Sequence, residues 1–352
     1  MRGVIKVPGA DYLAFRKRGQ RNGESMKPKT SLDLIRKPDR LTLGIELPLD
    51  NDWSPQGIRR REASGRPSGV PDLSAQAELL RRVDELGFAA IWARDVPVFD
   101  SVGMGDAGSV YDVFALLGFL AGITRNVALG TAAVVLPIRH PMMTAKAAAS
   151  IDALSGGRLI LGVASGDRPV EYPVLGLDFE ARGEDFRKAA DYLRAAWQPG
   201  GLPFDGGRIR EYDLLPRPEQ RTIPMVAAGQ ARQSDGWLAA NMDGRFVYPG
   251  GVGRMTAQTT AWRDATQGRG AFISAFHLDL LADAGAPNEP VRFGGRMGRK
   301  ALISLFRRYA AAGVDHIAVN LRQSVRPLPE VLDELASEVL PALDNSKAAQ
   351  AA

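Results

Sequence analysis

NVALGTAAVVLPIRHPMMTAKAAASIDALSGGRLILGVASGD, residues 126–167, contains one full repeat of the pattern that decides the fold. The apolar run over 126–137 reads as a strand ended by Pro137, which has no N–H to continue a ladder. The Ala-rich stretch 140–154 reads as a helix, with Pro141 in its first turn and Ser155-Gly156-Gly157 past its end. Leu159 to Ser165 then forms a second apolar run. Strands that are apolar on both faces, joined through a helix, belong to a parallel sheet with crossover connections.

The same alternation extends in both directions. Strands are predicted over 41–49, 89–96, 126–137, 159–165, 222–229, 244–249, 271–281 and 314–321. Helices are predicted over 74–88, 112–124, 140–154, 184–197, 234–242, 255–267, 299–313 and 328–343. Eight strand–helix pairs in roughly 300 residues predict an α/β protein of the (β/α)₈ barrel type. The competing open, doubly wound sheet lacks its fingerprint, since GGVGRM at 250–255 has no third glycine. We assign one barrel domain to 40–345, a basic and poorly ordered leader to 1–39, and a tail to 346–352. Two insertions stand out, 198–221 after the fourth helix and 283–298 after the seventh strand. Both are expected to shape a pocket, and the second, at the C-terminal face, is read as a lid.

Composition removes several classes of chemistry. There is no cysteine, hence no disulfide, iron–sulfur cluster or thiolate nucleophile. His140, His277 and His316 are too scattered to suggest a metal site, and none is expected. The net charge of +5 is spread along the chain, apart from a basic stretch in the first forty residues. Without stacking aromatics that stretch reads as a solvated leader and not as a nucleic-acid arm. No run is long enough to span a bilayer and no apolar signal core is evident, so a cytoplasmic setting with no membrane partner is expected.

In a barrel the strand ends define the site. Strand one ends Glu46-Leu47-Pro48 and strand two Trp92-Ala93-Arg94-Asp95. Strands three, four and five end in small residues, Gly130 to Ala133, Gly162 to Gly166 and Ala227 to Gly229. Small residues on one strand only let a helix pack close, whereas three neighbouring strands of them leave room for a flat ligand. After the fifth strand, Gly229, Gln230, Ala231, Gln233 and Ser234 lead into a helix whose free amides suit a phosphate, although Ser234 also serves as a plain cap. Arg94 and Asp95 form either an ion pair or charges placed over the site, and Asp167 with Arg168 raises the same choice, with Glu171 in reach. Tyr172 and Tyr248 are read as ring contacts or rim aromatics, and His140 as a helix-start residue.

These segments resemble the luciferase-like monooxygenase family, the flavin-dependent barrels related to bacterial luciferase. The resemblance rests on G-T-A-x-V-x-L-P at 130–137, the H-P helix start at 140–141, and L-S-x-G-R at 154–158 before a glycine-containing strand. IWARDVPVFD, GVASGDRPVEYPVLGLDFEAR and GQARQSDGWLAANMDGRFVYP extend the likeness over about 40 to 340, towards its luciferase-type oxidoreductase branch. The resemblance implies FMN at the C-terminal mouth, with the ring against Pro48, Thr131, Ala132, Ser165 and Gly166 and the phosphate at Gly229 to Ser234. Arg168 and Tyr172 join this cofactor set, and Arg94, Asp95 and Asp167 are the candidates for catalysis. It also implies a homodimer, O₂ as co-substrate, a small organic substrate, and a separate flavin reductase, because the chain has no nicotinamide fingerprint. Two other readings remain: hydride transfer with a deazaflavin coenzyme, and a non-catalytic flavin carrier. Where luciferase carries two histidines after the second strand, this chain reads Arg94-Asp95-Val96, and its phosphate-reaching arginine falls near Met143. Bioluminescence is therefore not expected, and Arg139 or Arg168 is left to supply the positive charge.

Overall fold

The computed structural model describes residues 30–67, 70–72, 76–98, 111–204 and 206–344. Its eight barrel strands are β1 (Thr42–Glu46), β2 (Ala90–Ala93), β3 (Ala128–Thr131), β4 (Leu159–Ala164), β5 (Met225–Ala228), β6 (Gly244–Val247), β7 (Ala271–Leu280) and β8 (His316–Asn320). Each pairs in parallel with the next, and β8 returns to β1 with Thr42 opposite His316 and Ile45 opposite Val319. The sheet closes on itself, as the eight strand–helix repeats predict, so the barrel has no free edge. The surrounding helices are α1 (Gln76–Glu85), α2 (Val113–Ile123), α3 (Pro141–Ser155), α4 (Arg182–Trp197), α5 (Asp235–Asn241), α6 (Val252–Thr266), α7 (Arg299–Ala311) and α8 (Leu328–Glu334, continued in helical turns to Ala342). No helix among the described residues is long and apolar enough to cross a membrane.

Local chemistry places the helix ends. The Asp112 carboxylate caps α2 by accepting from the amides of Phe114 and Ala115. Pro141 opens α3, and Gly156 closes it at φ 68°, a conformation that costs glycine nothing. Outward strand residues such as Leu43, Ile91 and Leu129 pack under the helices, while Ala90, Trp92, Ile160, Val226, Phe246 and Ile273 fill the barrel. The Trp92 ring occupies the space a side chain at Gly130 would need, since a Cβ there would lie 2.2 Å from it. Its indole N–H donates to His316 Nε2 at 3.0 Å. That bond leaves Nδ1 as the protonated nitrogen, 2.7 Å from the Thr42 hydroxyl, which donates in turn to the Ile35 carbonyl.

Ile35 belongs to a short helix, Leu32–Ile35, that plugs the foot of the barrel. The expected leader is therefore shorter than 1–39. From Ser31 onward the chain is fixed: the Ser31 hydroxyl donates to the Leu159 carbonyl, and Gln220 accepts from its amide. The apolar residues of LDLI enter the barrel because burying them there removes them from water. The leader's first 29 positions and the proposed tail lie outside the described residues.

The two insertions have different fates. Segment 198–221 connects α4 to β5, so its ends belong to the foot of the barrel and not to the mouth. Its Gln220 side chain bonds Asp152 in the last turn of α3 and the Leu159 carbonyl at the start of β4. The expectation that it shapes the pocket is thereby overturned. Segment 283–298 does reach the mouth, as a hairpin of Glu289–Val291 and Gly294–Met297. Its second strand runs parallel to the extension of β7, pairing His277 with Gly294 and Leu280 with Met297. This lid candidate is thus laddered onto the barrel sheet.

Candidate active site

Side chains alternate along a strand, so the residues facing the barrel axis can be followed upward to the C-terminal mouth. The inward positions nearest the mouth are Glu46, Arg94, Ala132, Ala164, Ala228, Tyr248, His277 and Asn320. Around the ring they form two halves. Ala132, Ala164 and Ala228 make β3, β4 and β5 a shallow wall. Arg94, Glu46, Asn320 and His277 put polar groups on β2, β1, β8 and β7.

The polar half is a row in register. His277 sits opposite Asn320, and Glu46 continues the β1–β8 ladder on the other side of Asn320. Arg94 Nε donates to Glu46 Oε1 at 2.6 Å, with both side chains largely withdrawn from water. Glu46 Oε2 and Asn320 Nδ2 are buried with no hydrogen-bond partner among the described residues. An orphaned acceptor and an orphaned donor on neighbouring strands are costly unless a ligand or water satisfies them. Further out, Arg322 Nε donates to Asp50 at 2.9 Å, and its guanidinium lies 4.4 Å from the centre of the Trp53 ring. Burial holds the Asp50 carboxyl above its usual range despite that arginine. A cavity of about 390 Å³ opens beside Trp53, between the loops after β1 and β8 and the hairpin after β7.

The residues singled out from sequence fall into distinct places. Asp95 is buried, and its carboxylate accepts from Arg139 Nη2 at 2.5 Å, Arg139 Nε at 2.9 Å and the Val135 amide at 3.2 Å. Arg139 also reaches the Asp112 carboxylate at 3.1 Å, tying β2, the turn before α3 and the start of α2 together. Asp167 is exposed and Arg168 half-buried. Arg168 draws the neighbouring Glu171 carboxyl down, but burial prevails and pushes it up to about 6. Tyr172 is 1% exposed and lies beneath the turn after β4, its hydroxyl donating to the Ser165 carbonyl at 2.5 Å. A Cβ on Gly166 (φ 82°) would strike that hydroxyl, so this position requires glycine. Thr131 is fully buried and donates to the Gly162 carbonyl at 2.6 Å. Gly162 answers for its own missing side chain, because a Cβ there would lie 1.7 Å from the Thr131 carbonyl. Pro48 is buried behind a cis Leu47–Pro48 bond, and the Ala132–Ala133 bond at the end of β3 is also cis.

The turn after β5 winds through Gly229, Ala231 and Arg232 with φ of 61°, 45° and 55°. Gln230 between Gly229 and Ala231 is not left-handed, and backbone of alternating hand aims successive amides to one side as an anion-binding nest. The side chains around it are already engaged. Gln230 bonds Asp235 and the Gln233 carbonyl, Ser234 caps α5 by accepting from Trp237, and Gln233 bonds the Gly183 carbonyl. Arg245 joins Asp235 and Gln230 from β6. Of the polar row, sequence reading singled out Arg94 but not Glu46, Asn320 or His277 as site residues, because the members are up to 274 positions apart and the ladder alone makes them neighbours. A usable signal was present in Glu46, a carboxylate ending an otherwise apolar strand.

The closed (β/α)₈ barrel with a polar row at its C-terminal mouth defines a class, the oxidoreductase barrels. The model of the family described as luciferase-like monooxygenase matches residues 56–278, and the chain belongs to that family. It is 26% identical over 258 residues to a protein named pyrimidine monooxygenase RutA from Bradyrhizobium sp. (strain BTAi1), covering 68% of each chain. It is 28% identical over 202 residues to an F420-dependent glucose-6-phosphate dehydrogenase from Amycolatopsis mediterranei, covering 53% of this chain and 58% of that one. The crystal structure of DmoA from Hyphomicrobium sulfonivorans shares the fold, with a TM-score of 0.67, 15% identity, and coverage of 86% of this chain and 88% of that one.

Proposed function

We propose that the protein is a flavin-dependent monooxygenase that uses reduced FMN and O₂ to oxygenate a small organic substrate at the C-terminal mouth. The observation that carries this reading is the divided mouth: a wall of Ala132, Ala164 and Ala228 facing the partnerless Glu46 Oε2 and Asn320 Nδ2. The residues fit FMN. The alanine wall and the Ser165-Gly166 turn take the ring, Pro48 backs it, and the nest at Gly229 to Ser234 takes the phosphate. Bound there, the reduced cofactor supplies the electrons with which one oxygen atom of O₂ enters the substrate and the other leaves as water.

The protein's own part is placement. Glu46 and Asn320 offer an acceptor and a donor to the ligand, and Arg94 holds the Glu46 carboxylate in position. Asp95 acts at one remove, through Arg139, by fixing the end of β2 against α2 and α3. Arg168, Tyr172 and Asp167 belong to the loop after β4, with Tyr172 holding the Ser165 carbonyl. Reduced cofactor comes from a separate reductase in the cytoplasm. Phe119 on α2 and Met143 on α3, at 48% and 60% exposure, offer a second copy an apolar face. A second reading, hydride transfer with a deazaflavin, is favoured by the likeness to the F420-dependent dehydrogenase.

Ala164→Leu tests the assignment, because its longer side chain enters the space given to the ring. Reduced FMN should bind the wild type and raise its melting temperature, and the variant should lose both effects while remaining folded. Equal binding by the two proteins removes the ring from this wall. Oxygen-independent turnover with the deazaflavin alone would select the second reading.

A further inference from the structure

The cavity beside Trp53 is distinct in composition from the alanine wall. Trp53, Pro55, Val291 and Val325 give it apolar sides, and Asp279, Arg296 and Gln323 complete the lining. It lies just above His277, since Asp279 is the next inward residue on β7 and the Trp53 and His277 rings are 5.7 Å apart. A volume of about 390 Å³ suits a small organic molecule.

The charges around the cavity are already matched. Arg296 Nε meets Asp279 Oδ2 at 3.2 Å, and Asp279 Oδ1 accepts from the Val325 amide at 3.0 Å. Arg322, stacked on Trp53, is joined to Asp50 at 2.9 Å, while Arg322 Nη1 and Asp50 Oδ2 have no hydrogen-bond partner among the described residues. A charged guest would have to compete with the Arg296–Asp279 pair for a counter-charge, which disfavours it relative to a neutral one. What remains is the Trp53 ring, stacked against Arg322, and the carboxamide of Gln323 in the cavity lining. An indole face stacks a flat ring, and a carboxamide pairs with one neutral hydrogen-bonding group.

We infer that this cavity is the substrate pocket and that it takes a neutral, flat, ring-bearing molecule with one hydrogen-bonding substituent. The inference rests on the proposed function, which places the cofactor on the opposite, alanine side of the mouth. Trp53 is then a specificity-determining residue, and Arg322 with Asp50 positions it. The hairpin after β7 supplies Val291 and Arg296, so it acts as a fixed wall of the pocket.

Four probes of similar size test this by titration, followed by tryptophan fluorescence and calorimetry: benzamide, benzoate, benzylamine and cyclohexanecarboxamide. Benzamide should bind best, with the two ions and the non-planar amide weaker by about tenfold or more. Trp53→Phe should abolish most of the benzamide-induced quenching. Val291→Trp fills the cavity from the half-buried hairpin strand, and should weaken benzamide by about tenfold while FMN affinity stays within about twofold. Loss of FMN binding in Val291→Trp would hand the cavity to the cofactor and overturn the inference, as would equal binding of benzoate and benzamide. Benzamide binding that is insensitive to both variants also overturns it. If benzamide behaves as stated and FMN binds neither protein, the proposed function fails and the pocket stands. Melting curves of both variants confirm that the protein tested is folded.

Discussion

Removing the Asp95 carboxylate separates a structural role from a catalytic one. Its side chain is 1% exposed and that of Arg139 is 22% exposed, so Asp95→Ala leaves a largely buried guanidinium without its principal partner. Breaking a fully buried pair costs about 3–5 kcal/mol. Here Arg139 keeps Asp112 at 3.1 Å and some contact with water. These reduce the expected loss to about 2–3 kcal/mol. Spread over the unfolding entropy of roughly 300 ordered residues, that lowers the melting temperature by about 3–5 °C. A double-mutant cycle with Arg139→Ala should return a coupling of about 2 kcal/mol, measured by calorimetry or thermal circular dichroism. FMN affinity should fall little, since the pair reaches the cofactor side only through the backbone. A variant that melts within about 1 °C of wild type but has lost turnover would refute this reasoning and make Asp95 a group of the reaction itself.

Other expectations follow from single contacts. Burial raises the Glu171 carboxyl from 4.5 to about 6, so the folded protein binds that proton more tightly than the unfolded chain. Stability is then lost as pH rises between those values, and Glu171→Gln should gain up to about 2 kcal/mol at pH 7 and nothing below pH 4.5. Denaturant midpoints at the two pH values measure it, and an unchanged midpoint at pH 7 contradicts it. Gly130→Ala places a methyl 2.2 Å from the Trp92 ring and should break the Trp92–His316 bond at a cost of about 1–3 kcal/mol. A variant melting like wild type would show that the indole has room to move. Ile35→Ala empties the plug at the foot of the barrel and should cost about 2–5 kcal/mol, with the mouth's ligand binding unchanged. Loss of less than about 1 kcal/mol would make the plug peripheral.

The barrel was legible because its signals are local and repeat. Each of the eight strand–helix pairs overlaps its expected span, and caps such as Gly156 fall where expected. The helix Pro55–Ala63 was not, since PQGIRRREA has no apolar stripe; its capping serine, Ser54, was the remaining clue. The plug at Leu32–Ile35 escaped notice for a similar reason, being four residues inside a basic, polar stretch. Small residues on β3 to β5 pointed to the mouth, but their reasons differ: Ala164 lines it, whereas Gly162 yields to the Thr131 carbonyl. Asp95 illustrates what sequence withholds. Its partner lies 44 positions away, and nothing in Arg94-Asp95-Val96 distinguishes a strut from a catalyst.

In the proposed function the alanine wall and the Glu46–Asn320 row together hold a flavin. Anaerobic titration of the purified protein with reduced FMN, followed calorimetrically alongside Ala164→Leu and Asn320→Leu, tests it most directly. One tight site per chain is expected, lost in Ala164→Leu and weakened several-fold in Asn320→Leu, where the buried donor is gone. Undiminished binding in both variants, or no binding to the wild type, would contradict it.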